Sequence, residues 1–262
     1  MSSSIWTPAA LSSEALPLEG RCWRLVEAQH RVSTLKLVDT LEEQDLLEGL
    51  LEAAKPPVPP ECRHLDYLLA TPFRYSPYPR GSRFRRPGHS EGVFYGAERP
   101  ETAVAEMAFY RLLFFAESPG TPWPRNPAEY TAFAAACRSE RMLDLTRPPL
   151  DRDSPVWSDP VDYAACQVLA DGARAARIEI IRYRSVRDPE GRANLALLTC
   201  RVFIRPKPTA LQTWRLHLQA SGVQAICESP RLRLAFDAAS FANDPRIAAL
   251  EWKRNPWPHG RG

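Results

Sequence analysis

The sequence predicts a single domain of the α/β (α+β) class, with mixed β-sheets and flanking helices. Short β-branched and aromatic runs typical of strands recur along the chain, and segments with apolar residues at helical spacing lie between them. Pro and Gly separate the two kinds of segment. The 262 residues are 44% apolar and 25% charged, as in a globular protein. We expect the domain at residues 20–254, with flexible ends at 1–19 and 255–262.

The first part of the domain predicts one strand and one helix. Residues 21–28 alternate apolar and polar side chains well enough to form a strand. Thr40 and Glu43 have the spacing of a capping box, so we expect a helix to begin after Thr40. That helix must end before the proline-rich segment 55–60, because proline cannot continue a helix.

The most informative stretch is residues 81–111. A cationic loop ends in a Pro-Gly turn, and the Val-Phe-Tyr run at 93–95 has the composition of a buried strand. Pro100 suits the first turn of a helix. Residues 103–116 of this helix are apolar on almost every face, which is typical of a helix in the protein interior.

Glu106 lies in the middle of this apolar helix. A carboxylate in an interior destabilises the fold unless it is paired, hydrogen-bonded or used for chemistry. Two interpretations stay open from the helix alone. Glu106 is either the buried ion-pair partner of an arginine or a reactive carboxylate.

The second half predicts strands with one helix among them, in the order strand 130–137, strand 141–145, helix 159–173, strand 178–183 and strand 195–203. Tyr163, Val168 and Leu169 are expected on the buried face of the helix. Apolar and polar residues alternate again within 211–236, which predicts a hairpin or meander. This last part contains no chemical motif, so we expect it to serve packing or partner contact.

The charge and the cysteines exclude several classes of protein. A net charge of +3 gives no general affinity for nucleic acid. The six cysteines form no Cys-x-x-Cys pair and the five histidines have no ligand spacing, so we expect no metal site. Separate thiols, no signal-peptide pattern and no membrane-spanning apolar run predict a cytoplasmic protein without membrane contact.

Five arginines alternate with aromatic residues between Arg74 and Arg86. Three interpretations stay open for this stretch. It is a solvated loop, a nucleic-acid groove in which arginine holds phosphate and aromatic rings stack on bases, or a site for a small molecule with a pyrophosphate. The last needs only one or two of the arginines. The near-neutral net charge argues against the nucleic acid.

Three short runs resemble the core of the RES domain, a family whose members are typically toxins of bacterial RES–Xre toxin–antitoxin pairs. They are Gly-Ser-Arg-Phe at 81–84, Val-Phe-Tyr-Gly at 93–96 and Thr-Ala-Val-Ala-Glu at 102–106. The loop lacks the Trp and Asn of the commoner Gly-Arg-Trp-Asn run. The resemblance extends over about 74–203. It implies split mixed sheets similar to those of ADP-ribosyltransferases, NAD as a consumed substrate with no recycled cofactor, and an Xre-type antitoxin as partner.

The resemblance also implies the residues of the site. Glu106 matches the family's catalytic carboxylate, which would support the cation that develops on the ribose. Arg83 matches its arginine and would bind an NAD phosphate or orient the ribose. Ser185, if not merely a turn cap, would bond the ribose or a phosphate. Tyr95 would stack on the nicotinamide ring; the alternative is that it is a tyrosine of the core. Arg24 and Arg74 are outer candidates for NAD binding.

Four functions remain open at this point. The first is NAD cleavage at the nicotinamide–ribose bond with water or phosphate as acceptor, giving growth arrest, and the second is ADP-ribosyl transfer to a protein. The third is a nucleic-acid-binding module without catalysis, and the fourth is an inactive scaffold that only binds an antitoxin. The uninterrupted Arg–Tyr–Glu set argues against the fourth. The chain has no Gly-x-Gly-x-x-Gly turn, so NAD is expected as substrate and not as a recycled cofactor.

Overall fold

An eight-stranded mixed β-sheet is the framework of the protein. The computed structural model describes residues 6–28, 37–74, 81–89, 91–219 and 221–248. The strands are β1 (Leu16–Glu27), β2 (Phe94–Ala97), β3 (Ala128–Asp144), β4 (Ile180–Arg184), β5 (Ala193–Leu197), β6 (Ala210–Gln219), β7 (Gly222–Cys227) and β8 (Leu232–Asp237). The helices are α1 (Pro8–Ser13), α2 (Leu41–Ala53), α3 (Tyr67–Ala70), α4 (Pro100–Glu117), α5 (Ser154–Trp157), α6 (Ala164–Ala175) and α7 (Pro245–Ala248).

The sheet divides at the long strand β3. One edge of β3 pairs with β1, and the other pairs first with β6 and then, near its end, with β4. Because β1 also pairs with β2, the strands β1, β2, β5, β4 and β3 close into a ring, while β6, β7 and β8 form an antiparallel arm. Among the pairings of the described strands, that of β3 with β4 alone is parallel. The predicted mixed α/β fold is confirmed. The split of the sheet that the family resemblance implied corresponds to this division at β3.

Three apolar clusters hold the helices and loops against the sheet. Phe109 of α4 packs in the same cluster as Trp214 of β6, so α4 covers the arm. Leu11 of α1 and Leu169 of α6 belong to a second cluster, over β4. Phe94 belongs to a third, together with the segment that follows α2. Neighbouring residues of β2 serve different clusters because side chains alternate between the two faces of a strand.

Several predicted elements are confirmed. Thr40 and Glu43 form the capping box, with the Thr40 hydroxyl and the Glu43 carboxylate each accepting from the other's backbone N–H. Pro100 begins α4. The predicted meander is the arm of β6, β7 and β8, in which Trp214 is fully buried.

Other predicted elements differ from the structure. The two strands expected at 130–137 and 141–145 are the single strand β3. The helix expected from 159 begins only at 164, since the Asp159 carboxylate accepts backbone N–H groups and holds a turn there. On that helix Leu169 is buried as predicted, but Val168 is exposed. The strand predicted at 195–203 ends at Leu197 and is followed by a 3₁₀ turn.

The predicted flexible N-terminus is wrong for residues 6–19. Leu11 is fully buried in the second cluster, where Trp6 is also buried, and α1 packs against α6. Apolar side chains on a short helix are thus enough to dock this segment onto the domain. Residues 1–5 and the predicted tail at 255–262 lie outside the described residues.

Helix α4 is not enclosed on every side, although its sequence predicts an interior helix. Val104 and Phe109 are fully buried, whereas Tyr110 is 55% and Phe114 48% exposed. Glu106 is half-buried. Residues 106, 110 and 114 follow the i, i+4, i+8 spacing of one helix face, so a single stripe of α4 is open.

Candidate active site around Glu106

Glu106 is held by two neutral hydrogen-bond donors. Its Oε1 accepts from the Ser185 hydroxyl at 2.7 Å and from Nδ2 of Asn194 at 2.6 Å. No arginine pairs with it in the part of the chain that the structure describes, so the interpretation of Glu106 as a buried ion-pair partner is wrong. Its other oxygen, Oε2, has no hydrogen-bond partner among the described residues. The carboxylate is therefore fixed in direction by donors that carry no charge.

The register of three strands brings these donors together. Asn194 of β5 lies opposite Tyr183 of β4 and opposite Ala97 of β2. Tyr183 and Ser185 are two positions apart along the chain, so both side chains project from the same face of the sheet as Asn194. Helix α4 crosses this face and places Glu106 over it.

Ser185 has two tasks in the structure. Its oxygen accepts from the backbone N–H groups of Arg187 at 3.2 Å and Asp188 at 3.0 Å, which caps the turn after β4. Its hydrogen goes to Glu106. Turn cap and site residue were alternatives in the sequence, and the geometry combines them. The hydroxyl has no further hydrogen to donate, so its orientation is determined.

Asn194 is a site residue that sequence reasoning missed. It is buried, and the hydrogen bond from its amide nitrogen is the shorter of the two that Glu106 accepts. The available signal was a polar residue within the apolar strand ANLAL, on the same face as Tyr183 of the paired strand. That the two residues share a face follows only from the pairing of β4 with β5, which the sequence does not reveal.

Tyrosine side chains line the space beside Glu106. Burial raises the pKa of Tyr183 well above its usual value, and the negative charge of Glu106 raises it further. Burial also raises the pKa of Tyr95. Both phenols are therefore neutral at physiological pH. Tyr110, one turn after Glu106 on α4, has an exposed ring.

Tyr95 supports the loop that carries Arg83. Its hydroxyl oxygen accepts from the Phe84 backbone N–H at 2.9 Å and lies 2.8 Å from the Ser82 hydroxyl. The residue is half-buried. Its hydroxyl is thus committed to the loop that carries Arg83.

Arg83 lies within the wall of the site. It is 7% exposed, and its two terminal nitrogens donate to the carbonyl oxygens of Trp157 at 2.7 Å and Asp159 at 2.8 Å. The guanidinium carbon is 4.5 Å from the centroid of the Tyr163 ring. These contacts tie the loop between α5 and α6 to the loop before β2. The expected role as a phosphate ligand has little support, because the donors already face protein carbonyls.

The outer candidates are engaged elsewhere. Arg74 donates to Glu52 of α2 at 2.6 Å and to the Pro56 carbonyl at 2.8 Å, which holds α2 to the body of the domain. Arg24 donates to the backbone carbonyl of Tyr95 and lies 5.2 Å from the ring centroid of Phe94, in the third cluster. Because Phe94 and Tyr95 point to opposite faces of β2, the guanidinium of Arg24 lies behind the sheet with respect to Glu106.

The remaining described arginines of the basic stretch also bond to the protein. Arg85 donates to the His89 carbonyl, and Arg86 is paired with Asp171. Arg80, together with the tyrosines at 75 and 78, lies outside the described residues.

Arg187 and Asp188, neighbours in the turn after β4, bind different partners. Arg187 is buried, and its Nη2 lies 2.9 Å from the carboxylate of Asp244. Asp188 accepts from the Thr102 hydroxyl at 2.6 Å and lies 3.2 Å from Nε of Arg192. The turn after β4 is thereby fastened to the first turn of α4 on one side and to the C-terminal segment on the other.

A cleft of about 800 Å³ opens beside the start of α4, but Glu106 does not line it. Its walls carry both charges, and Arg182 there is paired with Glu98 and Asp144. Within the described ranges no group of three or more His, Cys, Asp or Glu side chains is arranged to hold a metal. None of the helices described is long and apolar enough to cross a membrane.

Comparison with known proteins identifies the family. No curated protein matches the chain. Among solved structures, the chain resembles one from the M. tuberculosis MbcT–MbcA toxin–antitoxin complex, with 13% identity, a TM-score of 0.46, and coverage of 91% of this chain and 96% of that chain. The family model described as RES domain matches residues 58–219, more than half of the chain. Glu106 and the two donors that hold it lie within this range. The resemblance seen in the sequence is confirmed, and the chain belongs to the RES domain family.

Proposed function

We propose that this RES domain protein is a toxin that cleaves NAD at the bond between nicotinamide and ribose. ADP-ribose is transferred to water or phosphate, and the loss of NAD arrests growth unless an antitoxin of the Xre type neutralises the enzyme. The observation that carries the proposal is the carboxylate of Glu106, fixed through one oxygen by Ser185 and Asn194 and open at the other.

Such a carboxylate suits this reaction. Cleavage of a ribosyl bond passes through an oxocarbenium-like transition state, as in glycoside hydrolysis, and a nearby negative charge stabilises it. Nicotinamide leaves as a neutral molecule, so no acid is needed to protonate it. A partner arginine would cancel the charge of Glu106, whereas the neutral donors Ser185 and Asn194 orient it and leave it intact.

The rest of the site supports the same assignment. When water is the acceptor, its oxygen bonds to the ribose carbon that nicotinamide leaves, and one proton is released. Oε2 of Glu106, which has no hydrogen-bond partner among the described residues, would accept that proton. The rings of Tyr95 and Tyr110 offer aromatic faces for the planar nicotinamide. NAD is thus a substrate, and the proposal requires no recycled cofactor and no metal.

Product analysis tests the proposal directly. The purified full-length chain is incubated with NAD in phosphate-free buffer, in phosphate buffer, and with EDTA, and the products are separated by chromatography. Free nicotinamide should appear in all three, with ADP-ribose or its phosphate identifying the acceptor. Intact NAD in every condition contradicts the proposal. Radiolabelled NAD that ends on protein would instead identify an ADP-ribosyltransferase.

Glu106→Gln should abolish turnover and leave the fold intact. Glutamine can still accept from Ser185 and Asn194 through its carbonyl oxygen, but it lacks the charge that stabilises the transition state. We expect nicotinamide release to fall by about a hundredfold or more, which corresponds to roughly 2.7 kcal/mol or more in activation free energy.

Glu117→Gln is the matched control, because Glu117 ends the same helix and is exposed. Its activity and melting temperature should equal those of the wild type. Normal turnover by the Glu106→Gln variant would show that the carboxylate is structural.

A further inference from the structure

The C-terminal segment beyond the matched RES range reaches the helix that carries Glu106. Helix α7 packs against α4, and Ile247 of α7 is buried in the same apolar cluster as Phe109 of α4. Asp244, immediately before α7, is fully buried. A buried carboxylate requires partners, and these define the arrangement.

Asp244 is shared by two arginines. Its Oδ2 lies 2.9 Å from Nη2 of Arg187 and accepts from Nη2 of Arg246 at 2.7 Å, while its Oδ1 accepts from Nε of Arg246 at 3.0 Å. Both guanidinium groups also face the ring of Phe109, with centroid distances of 3.7 Å for Arg187 and 5.7 Å for Arg246. Two positive charges therefore share one carboxylate, and the group has an excess of positive charge.

The two arginines differ in access. The side chain of Arg187 is 5% exposed, and its Nη2 also donates to the Pro160 carbonyl. The side chain of Arg246 is 36% exposed, and Asp244 engages only its Nε and Nη2. The partly exposed side chain of Arg246, whose Nη1 does not bond Asp244, is thus the part of the cluster that a ligand can approach.

Helix α4 and the turn after β4 connect this cluster to the site. Phe109 is one turn after Glu106 on α4, and Arg187 is two residues after Ser185, which bonds Glu106. The hydrogen bond to Asp244 is the main cause of the raised pKa of Arg246, and Tyr163 and Tyr110 contribute to it, of which Tyr110 lies one turn after Glu106 on α4. Arg246 is therefore a charged group at the border of the tyrosine-lined space.

We propose that Arg246, oriented by Asp244, binds the diphosphate of the dinucleotide substrate. The inference rests on the proposed function. The family resemblance implies Arg83 as the cation that binds the phosphate. Arg83 is buried, however, and both of its terminal nitrogens donate hydrogen bonds to backbone carbonyls. A guanidinium already held in place loses little side-chain entropy on binding and offers charge-assisted hydrogen bonds to a phosphate oxygen.

Two measurements on the full-length chain test the assignment. Arg246→Ala should raise KM for NAD about 10- to 100-fold with kcat changed less than about threefold, because binding is lost and the carboxylate is not. Inorganic pyrophosphate should raise the melting temperature of the wild type and not that of the variant. Arg246→Lys keeps the charge but loses the planar fork. Its KM and its pyrophosphate-induced shift in melting temperature should lie between those of the wild type and of Arg246→Ala.

Arg233→Ala is the matched control, because Arg233 is an exposed arginine on β8, also outside the RES range. It should match the wild type in both measurements. If Arg246→Ala does not fold, Arg246→Gln retains one donor for Asp244 and replaces it.

The possible failures are distinguishable. A wild type that releases no nicotinamide overturns the proposed function, while the pyrophosphate shift still reports on Arg246. A wild type that turns over NAD, with an Arg246 variant of unchanged KM and unchanged pyrophosphate shift, overturns this inference alone. A variant that loses only melting temperature, with KM unchanged, assigns Arg246 a structural role and also overturns it.

Discussion

Under the proposed function, Ser185 and Asn194 determine how Glu106 meets the substrate. Each donates a neutral hydrogen bond to the same oxygen. Such bonds limit the rotation of the carboxylate without cancelling its charge, and a fixed charge needs no reorganisation when the transition state forms. The two residues act through Glu106 and are positioning residues in this sense.

Ser185→Ala should lower both stability and turnover. It leaves two N–H groups of the turn without their acceptor, which costs roughly 1–3 kcal/mol in the free energy of unfolding. It also frees Glu106 to rotate, and we expect kcat to fall about tenfold. Ser13→Ala, at an exposed serine of α1, is the control and should change neither quantity.

A double-mutant cycle separates the two effects of Ser185. In the Glu106→Gln background, Ser185→Ala should cost the same stability but no further turnover, because its catalytic effect passes through the carboxylate. Equal loss of turnover in both backgrounds would mean that Ser185 acts on the substrate independently of Glu106. Chemical unfolding and nicotinamide release measure the two quantities.

At the scale of elements, one wall of the site is a pair of loops joined by Arg83. The loop before β2 carries the arginine and is held by the Tyr95 hydroxyl, and the loop between α5 and α6 presents its carbonyls to the guanidinium. A planar fork matches two diverging carbonyl oxygens better than a point charge does. The wall thus depends on arginine specifically.

Arg83→Lys should destabilise the protein by about 1–3 kcal/mol, because lysine cannot reach both carbonyls and one is left unsatisfied in a buried place. Arg85→Lys, whose arginine donates to the His89 carbonyl near the surface, should change stability by less than about 0.5 kcal/mol. Urea unfolding measures both. An unchanged free energy of unfolding together with a raised KM would instead make Arg83 a direct ligand of the substrate.

For the whole molecule, Asp244 links the C-terminal segment to the RES core. It pairs with Arg187 of the turn after β4 and with Arg246 of α7, and α7 rests on α4. The pair of Arg187 with Asp244 is buried, so removing the carboxylate leaves Arg187 charged without its anion. Breaking a buried pair in this way typically costs 3–5 kcal/mol.

Asp244→Asn should therefore be strongly destabilising at pH 7, by about 3–5 kcal/mol, and less so in acid. Burial alone would raise the pKa of Asp244, but hydrogen bonds from Arg246 and the charges of both arginines outweigh it and lower the pKa below its ordinary value. A lowered folded-state pKa contributes stability above about pH 3.9, which is lost as the pH falls through the folded value.

Urea unfolding of the wild type and Asp244→Asn at pH 7, 5 and 3.5 measures this dependence. The difference between the two proteins should be constant from pH 7 to 5 and narrow below about 4. A difference that stays constant to pH 3.5 would contradict the role of the ionised carboxylate.

The sequence by itself determined the fold class, the RES family and the central position of Glu106. Each of these depends on local order along the chain. The capping box at Thr40 and the proline at the start of α4 act within one helical turn, and the RES runs lie within 81–106. A carboxylate inside an apolar helix is visible without any knowledge of its neighbours.

Only the tertiary structure decided which charges meet. Asn194 reaches Glu106 because β5 pairs with both β2 and β4, and Arg187 meets Asp244, 57 positions further along the chain, because α7 folds back onto α4. An arginine has many potential partners in a sequence, and burial and geometry choose among them. For that reason Arg83, which the sequence assigns to the substrate, is bonded to the wall, whereas Arg246, which no motif marked, has a partly exposed side chain.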